Sequence, residues 1–173
     1  MDLIEQQIYA QSLVAEHFVD KVDKVGKPYL YHLHKVATMS FYMGWKFAAK
    51  REQREDFAMK CFIAGLLHDT LEDTKVTHNE LAEHFDKDVV DAVIMLTRPN
   101  FEPYNMYLKY ILSVGERNPI MILVKYCDLC HNGDITRYPL EERTKEVRKR
   151  CKKYRKRAHI FAKKILEMMK QED

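Results

Sequence analysis

Four short stretches of the sequence concentrate side chains that bind metals and move protons. They are residues 29–32, which end in His32, residues 68–74, residues 125–128, and the pair His131 and Asn132. The second stretch reads His-Asp-Thr-Leu-Glu-Asp-Thr and places three carboxylates beside one imidazole. Imidazoles and carboxylates together suit manganese, and also iron or zinc, with coordination positions left open for water and a phosphate oxygen. These residue types therefore predict a divalent metal site that supports hydrolysis.

The spacing within these stretches places several of the polar groups on common helix faces. If the helix that ends at His68 continues for one more turn, Glu72 shares a face with it, and its carboxylate can reach a metal-bound water without being a ligand. Asp128 and Asn132 are also four residues apart, so one helix face can present both.

His68 also has a purely structural interpretation. It follows the apolar residues 64–67, and a histidine on such a face is commonly a hydrogen-bonded core residue. Asp69, Glu72 and Asp73 favour a site instead, because acids near a core are costly to bury without compensation. A bound cation is the simplest compensation.

The elements that must position these groups are helices. Only five glycines and five prolines interrupt the chain, and its apolar residues mostly recur three or four positions apart. Ile4, Ile8 and Phe18 mark the first helix, and Asn118 followed by Pro119 is typical of an N-cap and first helical position. We predict an all-α bundle of about eight helices, with later helices over residues 32–46, 53–68, 77–85, 87–97, 104–114, 119–133 and 140–169.

Length, charge and cysteine content narrow the class of protein. The 173 residues fit a single domain spanning 1–173, because about 150 residues is typical of one domain. The longest apolar run is far shorter than the roughly 20 residues of a membrane span, and the acidic start lacks the pattern of a signal peptide. We therefore expect a cytoplasmic protein with no membrane partner. Its four cysteines are interpreted as reduced thiols, with Cys127 and Cys130 buried for structural reasons.

Taken together, the motifs resemble those of the HD-domain metal-dependent phosphohydrolases. The closest similarity is to the Rel/Spo-type (p)ppGpp hydrolase group and its small stand-alone relatives. It is carried by Gly-x-Pro-Tyr-x-x-His at 26–32, by the run at 68–74, and by Val-Lys-x-x-Asp-x-x-His-Asn at 124–132. The resemblance spans residues 24 to about 158, nearly the whole chain.

The resemblance implies a role for each group of residues. One divalent metal, manganese first among the candidates, would be held by His32, His68, Asp69 and Asp128. Glu72 and Asp73 would position or deprotonate the attacking water, and His131 would not be a ligand. The implied reaction removes the 3′-pyrophosphate from guanosine tetra- or pentaphosphate, and the candidate substrate contacts are Lys24, Lys125 and Asn132.

Two departures from the family pattern concern the base of the substrate. The family carries a basic pair where this chain has Asp23 and Lys24, and often a threonine where it has Ile135. Alternative substrates are therefore nucleoside monophosphates or a nicotinamide dinucleotide phosphate.

An alternative of another class is a non-catalytic module that binds nucleotides or nucleic acid. Eleven of the twenty residues from 145 to 164 are Lys or Arg, a density that could attract phosphates. Because apolar residues recur through the same segment, we interpret it as a helix with a solvated basic face. We expect a small-molecule nucleotide as the partner and do not expect a nucleic acid. The oligomeric state is left open by the sequence.

Overall fold

A computed structural model describes residues 1–171 of the chain. Within that range the secondary structure is helical, and β pairing is limited to an isolated bridge between Val22 and Pro28. The helices are α1 (Leu3–Phe18), α2 (Tyr29–Phe47), α3 (Arg54–Leu67), α4 (Thr70–Asp73), α5 (His78–His84), α6 (Lys87–Leu96), α7 (Tyr104–Val114), α8 (Pro119–Asn132) and α9 (Lys145–Gln171). The all-α prediction is confirmed.

Most predicted helices occur, but some ends and faces differ. Ile4 and Ile8 mark α1 in the sequence, yet both are exposed, while Ala10, Val14 and Phe18 face the core. Asn118 is the N-cap residue of α8 and Pro119 its first residue, as predicted, but the Asn118 side chain makes no capping hydrogen bond and donates instead to the carbonyl of Asp88 across the fold.

The last helix begins five residues later than predicted. Residues 140–142 form a separate 3₁₀ turn, and α9 begins at Lys145. Thr144 sets this start, because its hydroxyl accepts a hydrogen bond from the amide of Val147. The apolar positions predicted for this helix do face the core, among them Ala158, Phe161 and Ile165.

The helices α2, α3 and α8 form the centre of the bundle. Six consecutive residues of α8, 120–125, are buried, so this helix is covered on all sides despite its strand-like sequence. Gly65 lets α3 approach α2 closely, since a Cβ there would lie 2.7 Å from the Cα of Ala37. This close approach brings the end of α3 beside the start of α2, where His68 and His32 lie. In residues 1–171, no helix combines the length and hydropathy required of a membrane span.

Candidate metal centre

Three central helices bring two imidazoles and two carboxylates to one point. His32 lies in the first turn of α2, Asp128 lies in α8, and His68 and Asp69 occupy the short break between α3 and α4. The Nε2 atom of His32 is 3.7 Å from Asp69 Oδ2 and 3.6 Å from Asp128 Oδ1. The Nε2 atom of His68 is 3.0 Å and 3.9 Å from the same two oxygens. Four potential ligand atoms therefore converge from opposite sides of the bundle.

The chemistry of this cluster fits a divalent cation. His68 is only 2% exposed, and its Nε2 atom has no partner in hydrogen-bond geometry despite its short distance from Asp69. The Nε2 of His32, the Nε2 of His68 and a carboxylate oxygen of Asp128 satisfy the spacing expected of metal ligands. Asp69 adds a second carboxylate beside them. A cation would compensate both carboxylates and satisfy the buried imidazole nitrogen.

The electrostatic environment of the cluster shifts the pKa values of its two histidines in opposite directions. Burial, reinforced by the neighbouring His68, lowers the pKa of His32 to about 4. Burial also opposes charge on His68, but the adjacent Asp69 outweighs it and raises the pKa of His68 to about 9. Despite their burial, the pKa values of Asp69 and Asp128 are lowered, chiefly by His68 and by Lys125 respectively. Without a cation, the two carboxylates are thus balanced by charge on His68 and Lys125.

A shell of hydrogen bonds orients both imidazoles. The Nδ1 of His68 lies 2.8 Å from the carbonyl of Gly65, so that nitrogen is the donor and Nε2 is the free ligand atom. The Nδ1 of His32 lies 2.7 Å from the Nδ1 of His131, which directs Nε2 of His32 toward the carboxylates. This imidazole pair could not be predicted from local spacing, because its members are 99 residues apart.

The carboxylates of Asp69 and Asp128 also accept hydrogen bonds from neighbouring side chains. The hydroxyl of Tyr29 donates to Asp69 Oδ2 over 2.6 Å, and the Asn132 amide donates to Asp128 Oδ1. Lys125 forms an ion pair with the other oxygen of Asp128, at 3.0 Å. Tyr29 belongs to the motif at 26–32, and its position three residues before His32 places both side chains on one face of α2. That spacing could have predicted its contact with the site.

The residues expected to handle water lie at the mouth of this cluster. Glu72 and Asp73 form part of α4 and line a cavity of about 430 Å³ together with His32, Asp69 and Asp128. The carboxylate of Glu72 accepts a hydrogen bond from the backbone amide of Arg98. Burial and the nearby Asp69 carboxylate raise the pKa of Asp73. Both acids are thus placed beside the cluster and outside the four converging ligand atoms.

The three candidate substrate residues line the same cavity in different ways. Lys24 lies at the rim, with its Nζ 3.4 Å from the hydroxyl of Tyr154. Lys125 is 7% exposed and lies over the rings of Tyr104 and Tyr107 as well as beside Asp128. Asn132 faces Asp128, as its four-residue spacing predicts. Lys125 and Asn132 therefore contact a candidate ligand, whereas Lys24 contacts Tyr154 at the rim.

Several further cavity residues were not singled out from the sequence. Arg98, Arg137, Tyr104 and Tyr154 line its walls and make them both cationic and aromatic. They come from separate helices and loops, so no local spacing in the sequence groups them. A cavity with such walls and an acidic floor is suited to a ligand that carries phosphate groups and a ring.

Both carboxylate oxygens of Asp23 are occupied by hydrogen bonds within the protein. One carboxylate oxygen accepts from the amides of Val25 and Lys27, at 2.8 and 3.0 Å, and the other accepts from the guanidinium of Arg137 at 2.6 Å. The Asp23 side chain is only 4% exposed. Although burial opposes it, these hydrogen bonds lower the pKa of Asp23. Asp23 therefore fixes the turn that carries Lys24.

Comparison with known proteins finds no matching family model but several related sequences. The chain is 30% identical over 145 residues to the guanosine-3′,5′-bis(diphosphate) 3′-pyrophosphohydrolase of Aquifex aeolicus, a match covering 81% of this chain and 19% of that protein. The enzyme of the same name from Borreliella burgdorferi is 30% identical over 138 residues, covering 73% and 18%. The GTP pyrophosphokinase of Myxococcus xanthus is 31% identical over 135 residues, covering 72% and 16%. The chain thus matches under one fifth of the length of each.

A solved structure shows the same fold. It belongs to a metazoan ortholog of SpoT that hydrolyses ppGpp, and it aligns with a TM-score of 0.61 at 20% identity, covering 95% of this chain and 85% of the other. At that identity, the likeness establishes the all-α architecture alone.

Proposed function

We propose that this chain, which is related in sequence to the Rel/Spo-type HD-domain hydrolases, is a metal-dependent phosphohydrolase that removes the 3′-pyrophosphate from guanosine tetra- or pentaphosphate. The observation that carries the proposal is the convergence of His32, His68, Asp69 and Asp128 at the base of a cavity that also contains Glu72 and Asp73. A purely structural cluster would not require two further carboxylates at its open side.

The metal would be held by His32, His68, Asp69 and Asp128. Two imidazoles with two carboxylates suit manganese first, and also iron or zinc. When bound, a divalent ion lowers the pKa of a coordinated water and neutralises charge on a phosphate oxygen.

The chain's own residues account for the remaining steps of hydrolysis. Glu72, held by the amide of Arg98, orients the attacking water. Asp73 accepts its proton, a role favoured by the raised pKa of this carboxyl. The water oxygen bonds to the phosphorus next to the 3′ oxygen, that oxygen–phosphorus bond breaks, and the proton passes to the departing 3′ oxygen. The products are GDP or GTP and pyrophosphate.

The cavity walls account for binding of the substrate. Lys24 and Arg98 supply positive charge, and the tyrosine rings of 104 and 154 supply flat apolar surface. Arg137 also lines the cavity, but its charge is paired with Asp23. Charge-assisted contacts to phosphate are stronger than neutral hydrogen bonds. Phosphate contacts from these cations and a ring contact from a tyrosine together fit a nucleotide.

One observation favours a second candidate, a phosphatase with broad nucleotide specificity. The position that carries a basic residue in the Rel/Spo-type pattern holds Asp23, and Arg137 and two backbone amides occupy its carboxylate. Residue 23 therefore supplies no cation to a purine, and a carboxylate cannot stack on one as arginine does. Discrimination between guanine and adenine then depends on other residues.

A hydrolysis screen with manganese separates these functions. The substrates are guanosine tetraphosphate, its adenosine analogue, nucleoside monophosphates and nicotinamide dinucleotide phosphate, with pyrophosphate and phosphate measured separately. Release of pyrophosphate from an alarmone supports the proposal. Release of phosphate alone from the other substrates supports the second candidate, and nucleotide binding without turnover would identify a non-catalytic module.

A further inference from the structure

Charge is strongly segregated between α9 and the rest of the molecule. Residues 145–164 carry eleven Lys and Arg against one acid, Glu146, whereas the rest of the chain carries 18 Lys and Arg against 25 acids. No acid occurs between residues 147 and 166. The net charge of the chain, +3, therefore conceals a strongly basic segment, residues 145–164, and a net acidic rest of the chain.

Five lysines form a straight stripe along the side of α9 opposite its buried face. They are Lys145, Lys149, Lys152, Lys156 and Lys163. Their spacings of three, four and seven residues keep them on one face of a helix, and at about 1.5 Å per residue the stripe is roughly 27 Å long. All five are exposed, and within residues 1–171 none of their side chains makes a hydrogen bond, ion pair or ring contact.

Other cations of the same helix are used differently. Arg150 donates to the hydroxyl of Tyr138, Arg157 donates to Asn105, and Lys164 pairs with Glu116. These contacts attach α9 to its neighbours. The lysine stripe contributes nothing to that attachment, and its members at three- and four-residue spacing repel one another.

We infer, contrary to the expectation from the sequence, that this lysine stripe binds the phosphate backbone of a nucleic acid. A row of point charges on one helix face is the electrostatic footprint of such a protein, and lysine contacts phosphates without the bidentate geometry that arginine uses to read a base. Binding is therefore independent of nucleotide sequence. The inference does not depend on the proposed hydrolysis, because nucleic-acid binding is measured directly and the stripe lies on a surface away from the cavity.

Two other partners fit the helix less well. A membrane-surface helix inserts its apolar face, but the apolar face of α9 is already buried in the core through Cys151, Phe161 and Ile165. Protein interfaces are depleted in lysine relative to the rest of a protein surface. An evenly spaced polyanion matches the stripe better than either partner.

The test is binding of the purified full chain to fluorescent duplexes of RNA and of DNA, each about 20 base pairs, over a series of salt concentrations. Each lysine that neutralises a phosphate contributes about −0.9 to the slope of log K against log salt. The triple variant Lys149→Gln, Lys152→Gln, Lys156→Gln should reduce the magnitude of the slope by about 3 and weaken binding at least tenfold at low salt. The matched control is the triple variant Lys35→Gln, Lys46→Gln, Lys109→Gln, which removes the same charge from other exposed positions.

The binding of the two triple variants to the duplexes decides between the possible partners. The inference is supported if the wild-type chain binds either duplex, the α9 variant loses that binding and the control variant retains it. The duplex that binds more tightly then identifies the ligand as RNA or DNA. Equal loss in both variants would overturn it, because the effect would then follow net charge alone. Absence of duplex binding at low salt would overturn it too, as would binding confined to vesicles of anionic lipid or to an acidic polypeptide.

Discussion

At the residue scale, the metal centre depends on giving each imidazole a single orientation. His68 donates from Nδ1 to a backbone carbonyl, which is the usual arrangement for a metal-binding histidine. His32 instead shares a hydrogen bond with the Nδ1 of His131. For His32 to present a free Nε2, its Nδ1 must carry the proton and His131 must accept it. We therefore expect His131 to position the candidate ligand His32 without binding the metal itself.

This role predicts the behaviour of two variants of His131. His131→Leu should weaken divalent metal binding by about 10- to 100-fold, because the acceptor for His32 is lost. His131→Asn should retain most of the affinity, since an amide oxygen can take the place of the accepting nitrogen. Metal titration against a chelator measures both affinities, and NMR of the ring nitrogens reports the tautomer of His32. Equal losses in the two variants would show that His131 matters only for packing.

A second residue-scale prediction concerns the acids of α4. Glu72→Gln and Asp73→Asn should bind metal normally and lose hydrolysis by about 100- to 10,000-fold, because each removes a carboxylate that handles water. Metal content and turnover are measured on the same preparation. Glu83→Gln, which changes an exposed acid on α5, is the control. Near-normal rates in both α4 variants would make these acids structural and contradict the assigned roles.

At the element scale, the contact between α2 and α3 sets the distance between the two histidines. Gly65→Ala should lower the free energy of unfolding by about 1–3 kcal/mol, because the added methyl meets backbone of α2 and forces the helices apart. It should also weaken metal binding, since His68 moves with α3. Urea unfolding and metal titration test the two effects. Glu55→Ala at an exposed site of α3 is the control, and an unchanged Gly65→Ala protein would show that the helix spacing can relax.

The turn at residues 23–27 is joined to the segment after α8 by the pair of Asp23 and Arg137. Because the pKa of Asp23 is lowered in the folded state, its ionised form stabilises the protein above the unfolded pKa, near 3.9. That stabilisation is lost as the pH falls through the lower, folded-state pKa. Asp23→Asn should therefore destabilise the protein at pH 7, with the difference from wild type shrinking below about pH 4. Urea unfolding at several pH values measures it, and a difference that stays constant with pH would rule out the charged pair as its cause.

Helical periodicity predicted the elements better than their ends or their long-range partners. The spacing of apolar residues located α6 and α7, whereas α8, with its continuous apolar run, was predicted from the Asn118-Pro119 start signal. The start of α9 depended on the Thr144 hydroxyl, a single local contact that periodicity does not reveal. Asp23 and Arg137 are 114 residues apart, and only the packed fold places them together. The sequence grouped the metal-centre residues by type and motif, whereas their hydrogen-bonded supports came from the tertiary structure.

At the scale of the whole molecule, two features with opposite charge requirements occupy different surfaces. The cavity needs carboxylates at its floor to hold a cation and cations at its rim to hold phosphate. The stripe on α9 has lysines alone, on the side of that helix facing away from the core. Only Tyr154 of α9 lines the cavity, so the helix belongs to both features through different faces.

The activity proposed for the cavity is hydrolysis of an alarmone with the help of one divalent ion. Its most direct test is the release of pyrophosphate from guanosine tetraphosphate by metal-stripped protein, measured as manganese is added, with His68→Ala as the variant that lacks a ligand. We predict that wild-type turnover rises from near zero and saturates at one ion per chain, while the variant stays inactive at the same manganese concentration. Wild-type turnover that is absent at every manganese concentration, or that is independent of manganese, would contradict the claim.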